Sequence, residues 1–263
     1  MHDKKYTLTA VSYLNTKPLL YGIFKSPIAE KIELQLNMPS VCATKLRDGE
    51  ADIGLVPVAV IPELETPHII SDYCIGTVGA VKTVCLYGER PMNEWDRLYM
   101  DYQSRTSVAL TKLLLRDFWH LKPELLPAHP GYEAQMHGNT GGLVIGDRTI
   151  GLEKRYPFVY DLGEAWMKHT GLPFVFAAWV SNRPLEADFI SQFNLALQRG
   201  VAEIPQLIYL MPTPQADFDL QTYFTENISY RLDDDKRRAL SIFLSRISDK
   251  RQPTLTRSLL LEV

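Results

Sequence analysis

The chain is poor in sulfur and has nothing to pair it with. Its three cysteines, Cys42, Cys74 and Cys85, are odd in number and widely spaced, which excludes a disulfide framework and leaves no CxxC pair for zinc or thiol exchange. They read as reduced, half-buried small apolar residues. The six histidines, His2, His68, His120, His129, His137 and His169, are scattered with no pair at metal-ligand spacing, so no metal is expected. Long apolar runs are missing as well: none approaches the roughly 18 residues of a membrane span. The opening MHDKKYTLTAVSYLN has an early basic pair but no apolar run and small-residue cleavage site of a secretory signal. With Met1 in place, a cytoplasmic chain without a membrane partner is expected. Net charge is only −3, too little to draw nucleic acid. Local groups must attract an anionic small molecule. No GxSxG, phosphate-binding glycine loop, HExxH or spaced-glycine fingerprint is present, so nucleophilic, metal-dependent and nicotinamide chemistry lack support, and no cofactor is expected.

What is present is an ordinary globular composition, 46% hydrophobic and 22% charged over 263 residues, long enough for two lobes of about 100–150 residues. Residues 6–13 read as a β-branched and aromatic strand. The segment from Asn15 to Pro18 opens a helix, with proline in its first turn. Residues 32–36 alternate as a second strand, a helix follows Ser40 and ends at Gly49, and residues 52–58 are a buried third strand. This order implies parallel strands with crossovers. Further strands are expected at 73–75, 81–87, 97–101, 143–145 and 173–180, and a long helix after Ser104. From Asp188 onward the chain is mainly helical. The fold class is α/β with two lobes and a ligand cleft between them. Pro91 and Pro184 place the crossings near 87–92 and 180–186, giving a first lobe of residues 1–88 plus 184–263 and a second of 89–183.

Three places put hydroxyls or amides where a strand becomes a helix: Ser12 with Asn15, Ser40, and Ser104 with Thr106 and Ser107. Helix starts offer free N–H groups and partial positive charge, so three converging on one cleft suit a dianion. Each taken singly is also an ordinary N-cap. Lys82 and Thr83, after a glycine turn, read either as a solvated strand lysine and neighbour or as a cation–hydroxyl pair in the cleft. Gly146 and Asp147 end a strand, where the carboxylate is either a base or a cap for the next turn. Asn15 either satisfies the turn after the first strand or projects into the cleft.

The segments SYLNTKPL (12–19), PSVCATKLRDGEADIGLVPVAVI (39–61), GAVKTVCLY (79–87), SRTSVALTKLLL (104–115), GGLVIGDRTI (141–150) and DLGEAWMKHTGLPFVFAAW (161–179) together resemble, in order, the menaquinone-pathway family that contains chorismate dehydratase. The resemblance implies a periplasmic-binding-protein-like (type II) fold. It also implies a cofactor-free lyase that dehydrates chorismate to 3-[(1-carboxyvinyl)oxy]benzoate on the futalosine route. Asn15 is then the catalytic residue, orienting the leaving hydroxyl, and the substrate's enolpyruvyl carboxylate serves as base. Ser12, Ser40, Lys82, Thr83, Ser104, Thr106, Ser107, Gly146 and Asp147 are the substrate-binding set. The chain departs from the family pattern at Ala80, Lys82 and Thr83, where proline, arginine and serine are usual, and at Arg105, where alanine is usual. Lys82 keeps the charge but loses the guanidinium fork. Two other readings are a sibling enzyme acting on a later intermediate of the route and a non-catalytic small-anion-binding protein.

Overall fold

The computed structural model describes residues 5–248. In chain order, β1 (Tyr6–Val11), α1 (Lys17–Phe24), β2 (Ile32–Asn37), α2 (Pro39–Arg47) and β3 (Ile53–Pro57) come first. β1 lies between β2 and β3 and is parallel to both, with Leu8 opposite Leu34 on one side and Ile53 on the other. That central place explains the burial of its last four residues, since such a strand is covered on both faces. β4 (His68–Thr77) continues in the same sheet. The chain then crosses to a second sheet built from β5 (Val84–Gly88), β6 (Arg97–Met100), β7 (Glu124–Pro127), β8 (Thr140–Ile145) and β9 (Phe158–Asp161), with α3 (Arg105–Asp117) between β6 and β7. Its strand order is β7-β6-β8-β5-β9.

α4 (Leu162–Thr170) leads back to β10 (Phe174–Ser181), which inserts between β3 and β4 antiparallel to both. Helices α5 (Ala187–Ala202) and α6 (Ile204–Leu210) follow, then the short turn α7 (Leu220–Thr222), β11 (Ser229–Arg231) and α8 (Asp234–Ser248). The first sheet is thus ordered β11-β4-β10-β3-β1-β2. Of the region expected to be mainly helical from Asp188 onward, residues 249–263 lie outside the described residues.

Two α/β lobes are present, but the chain changes sheets earlier than expected at both crossings. These fall at residues 78–83 and 162–173, not 87–92 and 180–186, so β5 joins the second sheet and β10 the first. Every residue of both strands is buried. A strand covered on both faces gives an apolar run that does not say which sheet it enters. Pro91 and Pro184 instead sit in loops inside their lobes. The parallel sheet read from the first five elements holds for β2-β1-β3 only, because β10 is antiparallel to its neighbours.

Asp161 ties the two crossings together. Its carboxylate accepts N–H bonds from Val81 (3.1 Å) and Lys82 (2.7 Å) on the outgoing segment and from Gly163 (2.9 Å) and Glu164 (3.1 Å) at the start of α4. Burial raises its carboxyl above the ordinary value, and the four N–H groups oppose that rise. Gly163 packs so closely that a Cβ there would lie 2.5 Å from the Gly79 carbonyl. Behind the first sheet, α1 and α5 also touch backbone to backbone. A Cβ on Gly22 would sit 2.0 Å from the Ala196 carbonyl, and one on Gly200 2.0 Å from that of Pro18.

Candidate functional site

A cavity lies between the lobes. From the first lobe it is lined by the Tyr13–Thr16 turn, Pro39 at the start of α2, and the ends of β3 and β10. From the crossover and the second lobe come Thr83, Ser104, Ser107 and the Ile145–Gly146 end of β8. The walls are otherwise apolar, with Val11, Leu55, Ile75 and Phe176. Each lining polar side chain is an amide, hydroxyl or phenol, and among the described residues no charged side chain lines it. Its volume is about 50 Å³, room for a few waters and far below the several hundred Å³ of an ordinary small-molecule site. The lobes are therefore drawn together, leaving less room than a ring-sized molecule occupies.

Asn15 sits in a short 3₁₀ turn, Leu14–Thr16, that bridges β1 to α1. The Thr16 hydroxyl donates to Asn15 Oδ1 at 3.2 Å, which turns the Asn15 NH₂ away from Thr16 as a free donor. The Asn15 carbonyl accepts from the Tyr230 hydroxyl at 2.9 Å. Opposite, Ser104 caps α3: its Oγ accepts from Ser107 N at 3.2 Å. The two hydroxyls lie 2.9 Å apart, so their mutual bond consumes one proton and leaves the other for a ligand. Thr83 is buried with its Oγ1 2.9 Å from the Tyr223 hydroxyl. Gly146 has φ +66° and gives its N–H to the Thr83 carbonyl at 2.8 Å. A Cβ there would meet the Tyr13 ring at 3.1 Å.

Of the residues expected at the site, the structure brings together Asn15, Thr83, Ser104, Ser107 and Gly146. Five others stand elsewhere. Ser12 is exposed and outside the lining. Ser40 is the second residue of α2, not its cap; Met38 holds the cap position, and Pro39 is what reaches the cavity. Lys82 is not in a strand. It occupies a turn at φ +68° with its side chain exposed and its N–H held by Asp161. Thr106 is fully buried, and its hydroxyl accepts from Ala59 N at 3.1 Å across the lobe junction. Asp147 does not line the cavity: its carboxylate accepts the Leu14 N–H at 3.0 and 3.2 Å, joining the lobes. Desolvation raises that carboxyl, while the Leu14 N–H and Lys17 lower it. Arg105 forms a bidentate pair with Glu63, with one contact of 2.8 Å.

Sequence reasoning missed Tyr13 and Thr16, which line the cavity. Both stand inside the SYLNTKPL segment, so adjacency to Asn15 was the available signal. It also missed Asp161, although an Asp directly before LGEAW is an N-cap pattern.

A family model described as menaquinone biosynthesis matches residues 6–249. A chorismate dehydratase from Thermus thermophilus is 26% identical over 230 residues, covering 78% of this chain and 80% of the relative. Among solved structures, a protein from Archaeoglobus fulgidus superposes with TM-score 0.72 at 15% identity, covering 95% of this chain and 98% of that one. The alkanesulfonate-binding protein SsuA from Xanthomonas axonopodis pv. citri, bound to MOPS, gives TM-score 0.65 at 12% identity, with 97% and 96% covered. A Candida albicans protein described as having the generic periplasmic binding protein fold gives 0.63 at 11% identity, with 95% and 92% covered. The matched model spans nearly the whole chain, and so this protein, folded as a two-lobed α/β periplasmic-binding-type clamp, belongs to the menaquinone biosynthesis family.

Proposed function

We propose that the protein is a lyase that removes water from chorismate to give 3-[(1-carboxyvinyl)oxy]benzoate, without a cofactor. The observation that carries this reading is the interlobe cavity, which Asn15 on one lobe and the Ser104–Ser107 pair on the other line among apolar walls. The likeness to a chorismate dehydratase supports it. The reaction makes an aromatic ring, so its driving force lies in the substrate. The protein has to hold two carboxylates, exclude water and help a hydroxyl leave.

The start of α3, with its free N–H groups and one spare serine proton, suits a carboxylate. Thr83 supplies a second hydroxyl. The Asn15 NH₂ donates to the departing oxygen as negative charge builds on it, and a donor fixed in a dry site acts most strongly there. A ring proton must also be taken within hydrogen-bond reach. The lining offers no carboxylate or imidazole among the described residues, and the substrate's own enolpyruvyl carboxylate fills that role when the closed walls fold it against the ring. The partner is thus a small anion.

The test is to mix purified protein with chorismate and follow ultraviolet absorbance and product mass. The expected product is lighter by one water and aromatic. Tight binding without turnover would leave a binding protein, and chorismate neither bound nor changed would favour a sibling activity on a later intermediate.

A further inference from the structure

We propose that Tyr13 is a specificity-determining wall of the cavity, and that Arg148, which does not line the cavity, acts as a positioning residue by fixing the amide of Gln103. Arg148 is pinned by three acceptors. It donates to Glu133 Oε1 at 2.8 Å, to the carboxylate of Asp101, and to Gln103 Oε1 at 3.3 Å. The Asp101 side chain is fully buried. The guanidinium also lies over the Tyr102 ring, 5.2 Å from its centroid.

A guanidinium only donates. The Gln103 amide must therefore turn its oxygen toward Arg148, and its Nε2 accordingly donates to the Tyr102 hydroxyl at 3.2 Å. The oxygen's remaining lone pair accepts from the Tyr13 hydroxyl. Were the amide reversed, an NH₂ would face the guanidinium donors. Thus a buried ion pair in the second lobe settles which atom Tyr13, on the first lobe, encounters.

Two consequences follow. The single proton of Tyr13 is spent on Gln103, so the cavity meets its ring and not a phenol donor. The ring is held across Gly146, 3.1 Å from where a Cβ on that residue would stand. A ligand carboxylate placed against the Tyr13 ring finds no donor from that side chain, whereas the Ser104–Ser107 wall offers one. The cavity accordingly takes a carbocycle with its flat face on Tyr13 and its anionic groups turned to α3.

The test compares Tyr13→Phe, Gln103→Met, their double variant, Gln103→Glu and Arg148→Lys. Its kinetic arm rests on the chorismate reading. There Tyr13→Phe and Gln103→Met each raise KM about tenfold with kcat within twofold, and the double variant is no worse than either single. Gln103→Glu, which still accepts from both partners, stays near wild type. Arg148→Lys keeps a charge for Asp101 but loses the fork, and follows Gln103→Met. The structural arm needs no substrate: Lys25→Cys and Lys122→Cys, both exposed and on different lobes, carry a pair of distance labels. The separation grows in Tyr13→Phe, Gln103→Met and Arg148→Lys and not in Gln103→Glu. Losses that multiply in the double variant, or a Gln103→Glu as open as Gln103→Met, overturn the proposal, as does a separation unchanged in all variants. Label distances that move as stated in a protein inert toward chorismate refute the proposed reaction alone.

Discussion

Replacing Gly146 by alanine separates the strain of a turn from the fit of the closed cavity. The residue sits at φ +66°, a region where an L side chain costs about 1–2 kcal/mol. That strain is the same whether the lobes are apart or together, so it appears as a fall in melting temperature of about 2–8 °C for a chain of this size. The second cost exists only on closure. The new methyl stands 3.1 Å from Cε2 and Cζ of Tyr13 and 3.2 Å from its Cδ2, about half an ångström inside ordinary carbon–carbon contact. The ring cannot simply retreat, since its hydroxyl is bound to Gln103. Three crowded atoms place the overpacking cost near the lower end of the usual range, about 1–2 kcal/mol, or roughly five- to thirtyfold in KM. Saturating substrate restores the closed form, so kcat stays close to wild type. Steady-state kinetics with chorismate beside thermal melting reads both effects. A variant with the lowered melting temperature and an unchanged KM would show that Tyr13 does not wall the closed site.

The remaining expectations rest on single contacts. Asn15→Leu should fold normally, because the turn is held through its backbone carbonyl, and lose about a hundredfold or more in single-turnover rate; wild-type turnover in the folded variant removes Asn15 from the mechanism. Ser104→Ala should cost about 1 kcal/mol of stability through the lost cap on α3 and also raise KM, whereas a change in melting alone would make Ser104 purely a cap. The three thiols are buried, and burial pushes Cys74 to about 12 and raises Cys42 and Cys85. Raised thiol values keep the reactive thiolate scarce until pH climbs toward them. A disulfide reagent at pH 8 should therefore label none in native protein and all three after denaturation, an expectation that rapid native labelling refutes.

The opening β1-α1-β2-α2-β3 order was legible because each element is bounded by its own punctuation: Pro18 after β1, Pro39 opening α2, Gly49 after it. Sheet membership was not, since the burial of β5 and β10 gives the same pattern in either lobe. The four-residue strands β7 and β9 were missed because half-exposed residues such as Leu126 and Phe158 leave little alternation to read. Within the site, the sequence reading grouped Thr106 with Ser104 and Ser107, although residues three apart share a helix face and the intervening Thr106 turns toward Ala59. Lys82 failed for a backbone reason, a left-handed turn imposed by Asp161 from 79 residues away. Tyr13 and Gln103 are 90 residues apart, and neither segment alone contains the contact.

The glycine crossing of α1 and α5 bears on how the proposed chorismate site would measure its ligand. With no side chain between the helices at Gly22 and Gly200, there is nothing to slide or repack, and the anchored stretch begins two residues after Asn15. Asn15 is accordingly one fixed jaw of a caliper, while Ser104 and Ser107 ride on the other. A molecule that touches one jaw leaves the gauge unread; only one whose length matches the gap engages both at the spacing at which the jaws come to rest.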